Sequence, residues 1–123
     1  MKKLGLFLLL LISTVAFAQQ KEQNEWQNTS CYSKIQFKLK YEGKNGDRHI
    51  WKVQFKSSYE TVISFNYHIS DESGQYEATT HRKVLNPGTV SAEIETYTDS
   101  ENIFLTVDKV SLSPYPNNFI DCE

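Results

Sequence analysis

Residues 35–56 read IQFKLKYEGKNGDRHIWKVQFK. Ile35, Phe37, Leu39 and Tyr41 alternate with Gln36, Lys38 and Lys40. A period of two places one set of side chains on a core and the other in water. Glu42-Gly43-Lys44-Asn45-Gly46-Asp47 then supplies turn chemistry, because glycine and asparagine tolerate a positive φ. Beyond it Trp51, Val53 and Phe55 alternate with Lys52, Gln54 and Lys56. Two alternating runs around a turn predict a β-hairpin with an apolar face and a lysine face.

The same period continues outward. Ile63, Phe65, Tyr67 and Ile69 share one face of a third strand, with Ser64, Asn66 and His68 on the other. After Ser70-Asp71-Glu72-Ser73-Gly74, a weaker run from Tyr76 to Val84 carries few apolar residues and reads as an edge strand. Leu85-Asn86-Pro87-Gly88-Thr89 is a further turn, followed by Val90, Ala92 and Ile94 alternating with Ser91, Glu93 and Glu95. Ile103, Leu105 and Val107 define the last strong strand. Val110 and Leu112 continue it one residue out of phase, which predicts a bulge near Asp108. Pro114-Tyr115-Pro116 is incompatible with helix and is expected to run extended to Cys122. No segment has a 3.6-residue period. Six to seven short strands with turns between them predict an all-β chain, an antiparallel β-sandwich. The expected core is Phe37, Leu39, Trp51, Val53, Phe55, Ile63, Phe65, Ile94, Leu105 and Val107.

A tryptophan on the second strand (Trp51), Phe65-x-Tyr67 on the third and Leu85-x-Pro87-Gly88-Thr89 before a late strand resemble fibronectin-III and other immunoglobulin-like modules. Ser91 stands where fibronectin-III domains usually carry a tyrosine after that turn. The resemblance spans most of residues 32–112. It implies an immunoglobulin-like sandwich acting as a binding or spacer module, a fold that hosts many functions.

The ends set the compartment. Met1-Lys2-Lys3, an apolar stretch from Leu4 to Val15 and Ala16-Phe17-Ala18 have the three-part form of a secretory signal, so residues 1–18 are expected to be removed. A membrane anchor needs ~20 apolar residues, and polar Gln19-Gln20-Lys21-Glu22 follows at once. Residues 19–30, with Trp26 as their one large apolar side chain, read as a flexible leader, and residues 31–123 as the domain. Two cysteines in an exported chain, Cys31 and Cys122, are expected to pair and join its two ends. The expected address is the periplasm or the extracellular space.

Loss of the two signal lysines leaves 11 basic and 15 acidic residues, a net charge of −4. That balance argues against a nucleic-acid binder, which carries a strongly basic face. The charge is unevenly spread, however: residues 19–60 carry 8 basic and 5 acidic side chains, residues 61–123 carry 3 and 10. Lys34, Lys38, Lys40, Lys52 and Lys56 are the candidate binding face. If Leu39 pairs with Trp51, Lys38 opposes Lys52 and Lys34 opposes Lys56, and like charges in direct register destabilise a sheet. Either the register differs by two residues, or an anionic partner offsets the repulsion.

Other chemistry finds little support. His49, His68 and His81 contain no His-x-His pair; His68 and His81 could meet across neighbouring strands, with Glu77 as a third ligand. Ser73-Gly74 lacks the preceding glycine of a nucleophile elbow, and paired cysteines provide no thiolate. Asp71-Glu72-Ser73 and Asp99-Ser100-Glu101 are too short of ligands for a known calcium loop. Asn28-Thr29-Ser30 matches the glycosylation pattern in a chain whose short signal reads as bacterial. Trp26, Tyr32, Tyr59, Tyr76, Tyr97 and Tyr115 have no core assignment from pattern alone, and exposed aromatics bind sugars and proteins. No cofactor, metal ligand or catalytic residue is expected. The reading is a non-catalytic exported binding or structural module of a bacterial envelope, with a protein or an anionic polysaccharide as partner and no membrane span. The alternatives are a small secreted hydrolase or metal-dependent enzyme, and a secreted enzyme inhibitor.

Overall fold

The hairpin forms, with longer arms and another register than the alternation alone suggests. In the computed structural model, which describes residues 24–70 and 80–122, β2 (Ile35–Asn45) pairs antiparallel with β3 (Arg48–Ser57). Only Gly46 and Asp47 remain in the loop, and Gly46 has φ +66°. Glycine at the first loop position suits a two-residue hairpin turn whose twist matches that of the strands. Leu39 lies opposite Val53 and Tyr41 opposite Trp51, two residues away from a Leu39–Trp51 register. Glu42 to Asn45, read from sequence as turn, belong to the strand, where a register shift between Tyr41 and Gly43 leaves Glu42 as the extra residue. Gly43 accepts that distortion with φ +103°.

A two-residue strand, β1 (Gln27–Asn28), adds to the other edge of β2, with Gln27 opposite Phe37. Part of the expected leader is therefore folded, because Gln27 finds a ladder partner on β2 and Trp26 a packing surface on its lysines. The folded region begins before Cys31. Residues 1–18 and 19–23 lie outside the described residues.

β4 (Ile63–Ser70), β5 (His81–Leu85) and β7 (Phe104–Ser111) make a second sheet in the order β5-β4-β7, while β6 (Ile94–Thr98) joins β3 to complete a sheet of order β1-β2-β3-β6. All pairings are antiparallel. The chain crosses between sheets after β3, after β5 and after β6. Among the described residues there is no helix. β5 is an edge strand, as its sparse apolar pattern implies; Tyr76–Thr79 of the expected strand lie outside the described residues.

The two sheets share one core. Phe55 on β3 meets Phe65 and Tyr67 on β4, with ring centroids 5.0 and 4.9 Å apart. Nine of the ten expected core residues are buried, and Ile94 is half-buried against them. Tyr32, Ile35, Tyr59, Tyr67, Ile69, Leu85 and Val110 complete the core.

Two changes of phase, one ahead of β6 and one within β7, decide which side chains reach it. Val90 bridges to Lys56 and so points outward, whereas Ile94 opposes Val53 and points inward. The phase changes at Ser91, which is buried and whose Oγ accepts the Phe55 amide at 2.9 Å. The expected shared face of Val90, Ala92 and Ile94 is thus broken. On β7, Ser111 opposes Ser64 but Asp108 opposes Asn66, which leaves one extra residue. Lys109 takes it up at φ +49°, one residue from the expected bulge. Val110 is buried, yet Leu112 is exposed.

The tail does not run extended. It turns at Ser113–Asn117 and returns along β7, where the Ile120 amide donates to the Val110 carbonyl at 2.8 Å and Phe119 bridges to Ser111. Cys31 and Cys122 are disulfide-bonded, with Cα atoms 5.0 Å apart.

Candidate functional site

Lys38 and Lys40 on β2 and Lys52 and Lys56 on β3 occupy even-numbered positions and share the solvent-facing side of the four-stranded sheet. Lys34 does not join them: it lies in the turn before β2 with Nζ 5.4 Å from the centre of the Tyr59 ring. The register shift removes both like-charge pairs that the Leu39–Trp51 pairing would create. Lys38 opposes Gln54, and Lys56 opposes Gln36. It creates one other, Lys40 against Lys52.

Glu42 answers that pair. Its Oε1 lies 3.5 Å from Lys40 Nζ and 3.7 Å from Lys52 Nζ. The bulge that makes Glu42 the extra residue of β2 thus supplies a carboxylate shared by the two lysines. On the other side Glu95 stands directly opposite Lys52. Its Oε1 accepts the Tyr97 hydroxyl at 2.8 Å, and that carboxylate raises the Tyr97 pKa first through the hydrogen bond and then through its charge. Half of the face is therefore a ladder of alternating charge.

The other half differs. Trp26, just before β1, packs its indole on the sheet with Lys38 Nζ 4.7 Å and Lys56 Nζ 5.6 Å from the ring centroid. Both distances are within the range where an ammonium is attracted to the ring quadrupole. Trp26 is half-buried, and Asn28 on β1 accepts a hydrogen bond from Gln36 beside it. Nothing in the spacing of residues 19–30 signals this contact. Trp26 lies in register with Lys38 only once β1 pairs with β2.

The outer face of the three-stranded sheet is organised around Arg82. Its Nη1 donates to Asn66 Oδ1 and to the Lys109 carbonyl at 2.8 and 3.1 Å, and its Nη2 donates to Ser64 Oγ at 2.6 Å. Nε is buried without a hydrogen-bond partner. Burial pushes the Arg82 pKa down, and the nearby Asp108 carboxylate opposes the shift. Ser64 and Ser111 are fully buried on this nominally solvent-facing side, because residues 112–120 fold over them. Val84, Leu112, Tyr115 and Phe119 are exposed there, with Phe119 5.9 Å from the Arg82 guanidinium.

The histidines are not brought together. His81 opposes Tyr67 and stacks on its ring at 4.9 Å, which places it toward the inner side at the edge of the sheet. His68 is one residue out of phase, on the outer side, with Nε2 3.0 Å from Asp108 Oδ1. Facing opposite sides of β4 and β5, they cannot serve one ion. Glu77, Ser73, Gly74 and Asp71-Glu72-Ser73 lie outside the described residues. Asp99 is exposed beside Arg48 at 3.8 Å. Among the described residues, no three His, Cys, Asp or Glu side chains gather as a metal site. His49 instead bonds Tyr41 through Nδ1 at 2.7 Å.

Of the aromatics without a sequence assignment, Tyr32 and Tyr59 are buried in the core, Tyr97 and Tyr115 are exposed, and Tyr76 lies outside the described residues. The disulfide fits an oxidising compartment, and among the described residues no helix is long and apolar enough to cross a membrane. No protein-family model, curated protein or solved structure matches the chain.

Proposed function

We propose that the protein is an exported, non-catalytic binding module of immunoglobulin-like build in a bacterial envelope, and that it engages an anionic macromolecule through the outer face of its four-stranded sheet. The observation that carries this reading is the grouping of Lys38, Lys40, Lys52 and Lys56 on one solvent-facing surface. Glu42 and Glu95 balance the Lys40–Lys52 end, so the positive field is concentrated at Lys38 and Lys56. A local field of this kind attracts polyanions despite a negative net charge.

The strand order supports the immunoglobulin-like part. With β2 as first strand, the order first-second-fifth (β2-β3-β6) faces a sheet containing third beside sixth (β4-β7), as in immunoglobulin sandwiches. The fourth strand, β5, pairs with the third instead of the fifth, and the Ser111–Phe119 bridge occupies the position of a seventh. The disulfide supports the exported part.

Chromatography on immobilised heparin tests the binding surface. Retention is expected at low ionic strength and loss of retention at moderate salt, because exposed charges are screened over ~8 Å at physiological ionic strength. Lys38→Glu with Lys56→Glu should pass unretained. Passage of the wild type at low salt would overturn the proposal.

A further inference from the structure

Resting on that reading, we infer that Trp26, Lys38 and Lys56 form a subsite for an acidic polysaccharide, with the indole as a stacking platform and the two ammonium groups as carboxylate partners. The indole is half-exposed, and both ammonium groups lie within 4.7 and 5.6 Å of its centroid. An aromatic ring offers a flat apolar surface. A uronic-acid residue presents a flat face of C–H groups and one carboxylate, repeated along the chain at each sugar. That geometry places an apolar face on the indole while its carboxylate reaches an ammonium. An acidic peptide holds its carboxylates on flexible stems and has no such face. Glu42 and Glu95, farther along the same sheet, disfavour the denser charge of a nucleic-acid backbone.

The segment that carries the indole is suited to adjust. β1 contributes only the pairs Gln27–Phe37 and Asn28–Gln36 to the sheet. A carboxylate that draws Lys38 and Lys56 toward itself competes with their attraction to the ring, and repetition along a polymer multiplies the effect through raised effective concentration.

Intrinsic fluorescence reads the subsite directly, since Trp51 is buried and Trp26 is the half-exposed tryptophan. Titration with polygalacturonate should change the emission and protect Trp26 from acrylamide quenching, and dextran should do neither. Trp26→Ala and Lys56→Gln should each weaken polygalacturonate binding by about tenfold, with Trp51 emission and circular dichroism unchanged as proof of folding. Trp26→Phe, which keeps a ring, should recover part of the loss. Polyglutamate and oligodeoxythymidylate of similar charge should bind more weakly than polygalacturonate. If either binds as well, or if Trp26→Ala leaves polygalacturonate binding intact, the saccharide subsite is overturned while the lysine surface stands. If the wild type binds no polyanion at all, the surface falls with it.

Discussion

Phe55 has zero exposure and is the residue through which the two sheets meet, edge-on to Phe65 and tilted against Tyr67. Aromatic pairs in such geometry add ~0.5–1.5 kcal/mol to the area they bury. Phe65→Ala should therefore cost about 3–5 kcal/mol in denaturant unfolding, the usual size for a buried phenylalanine. A loss below ~1 kcal/mol would contradict the packing. Glu42 shows the opposite scale of effect. It is exposed and its ion pairs with Lys40 and Lys52 are screened, so Glu42→Gln should cost only about 0.5–1 kcal/mol and still less at high salt. An unaltered cost at high salt would mean that the carboxylate holds the bulge by hydrogen bonding instead of charge. Tyr67 gives a pH dependence. Burial raises its pKa above the ordinary value of 10.0. The folded state then holds the phenol proton more tightly than the unfolded state. Its contribution is complete below about pH 10 and is lost as pH rises through the folded value. The unfolding midpoint should hold steady up to about pH 10 and fall as pH rises beyond it, and Tyr67→Phe should fall less steeply there.

At the scale of elements, the bulges carry most of the specificity. Each changes the parity of a strand midway, so that a single strand presents a different face before and after it. In β7 the change depends on Lys109 at φ +49°, a region that costs a non-glycine residue roughly 1–2 kcal/mol. Lys109→Gly should relieve that cost and leave stability equal or higher by up to ~1 kcal/mol, the gain being reduced by glycine's greater freedom in the unfolded chain. Lys109→Val should destabilise by ~1 kcal/mol or more, since a β-branched residue fits that conformation poorly. Thermal unfolding of the two variants side by side decides the matter. Equal melting temperatures would mean that the positive φ at position 109 costs a side chain nothing. The segment from Thr89 to Thr98 is built likewise: the Thr89 carbonyl and Ser91 backbone bond the end of β3, and β6 bonds its beginning, with the parity change between them.

For the molecule as a whole, the last β-strand does not end the fold. Residues 112–122 return over Ser64 and Ser111, place Ile120 against the core, and meet Cys31 in the segment between β1 and β2. The Tyr32 hydroxyl donates to the Ile120 carbonyl at 3.1 Å, so the two ends are joined by a hydrogen bond as well as by the disulfide. A cross-link spanning 91 residues removes much of the unfolded chain's freedom. Cys31→Ser should cost ~2–5 kcal/mol and lower the melting temperature by about ten degrees or more. A drop of only a degree or two would mean that Tyr32 and Ile120 hold the tail without the bond.

What was legible in the sequence was whatever a period of two can express. The all-β class, the inner faces of β2, β3 and β4, the edge character of β5 and the slip in β7 all follow from which residues alternate, because burial selects side chains by parity. The cysteine pairing followed from there being two cysteines. Register, the bulge in β2 and the reach of the strands did not follow, since a hairpin shifted by two residues keeps every side chain on the same face and satisfies the same pattern equally well. That shift is what moved Lys38 and Lys56 away from opposing lysines and set Lys40 beside Lys52 under Glu42. Trp26 met its lysines only through a strand too short to have a period. Tyr32, Tyr59 and Ser64 became buried because distant segments closed over them. Local alternation determined the faces; contacts between residues far apart in the chain decided what each face carries.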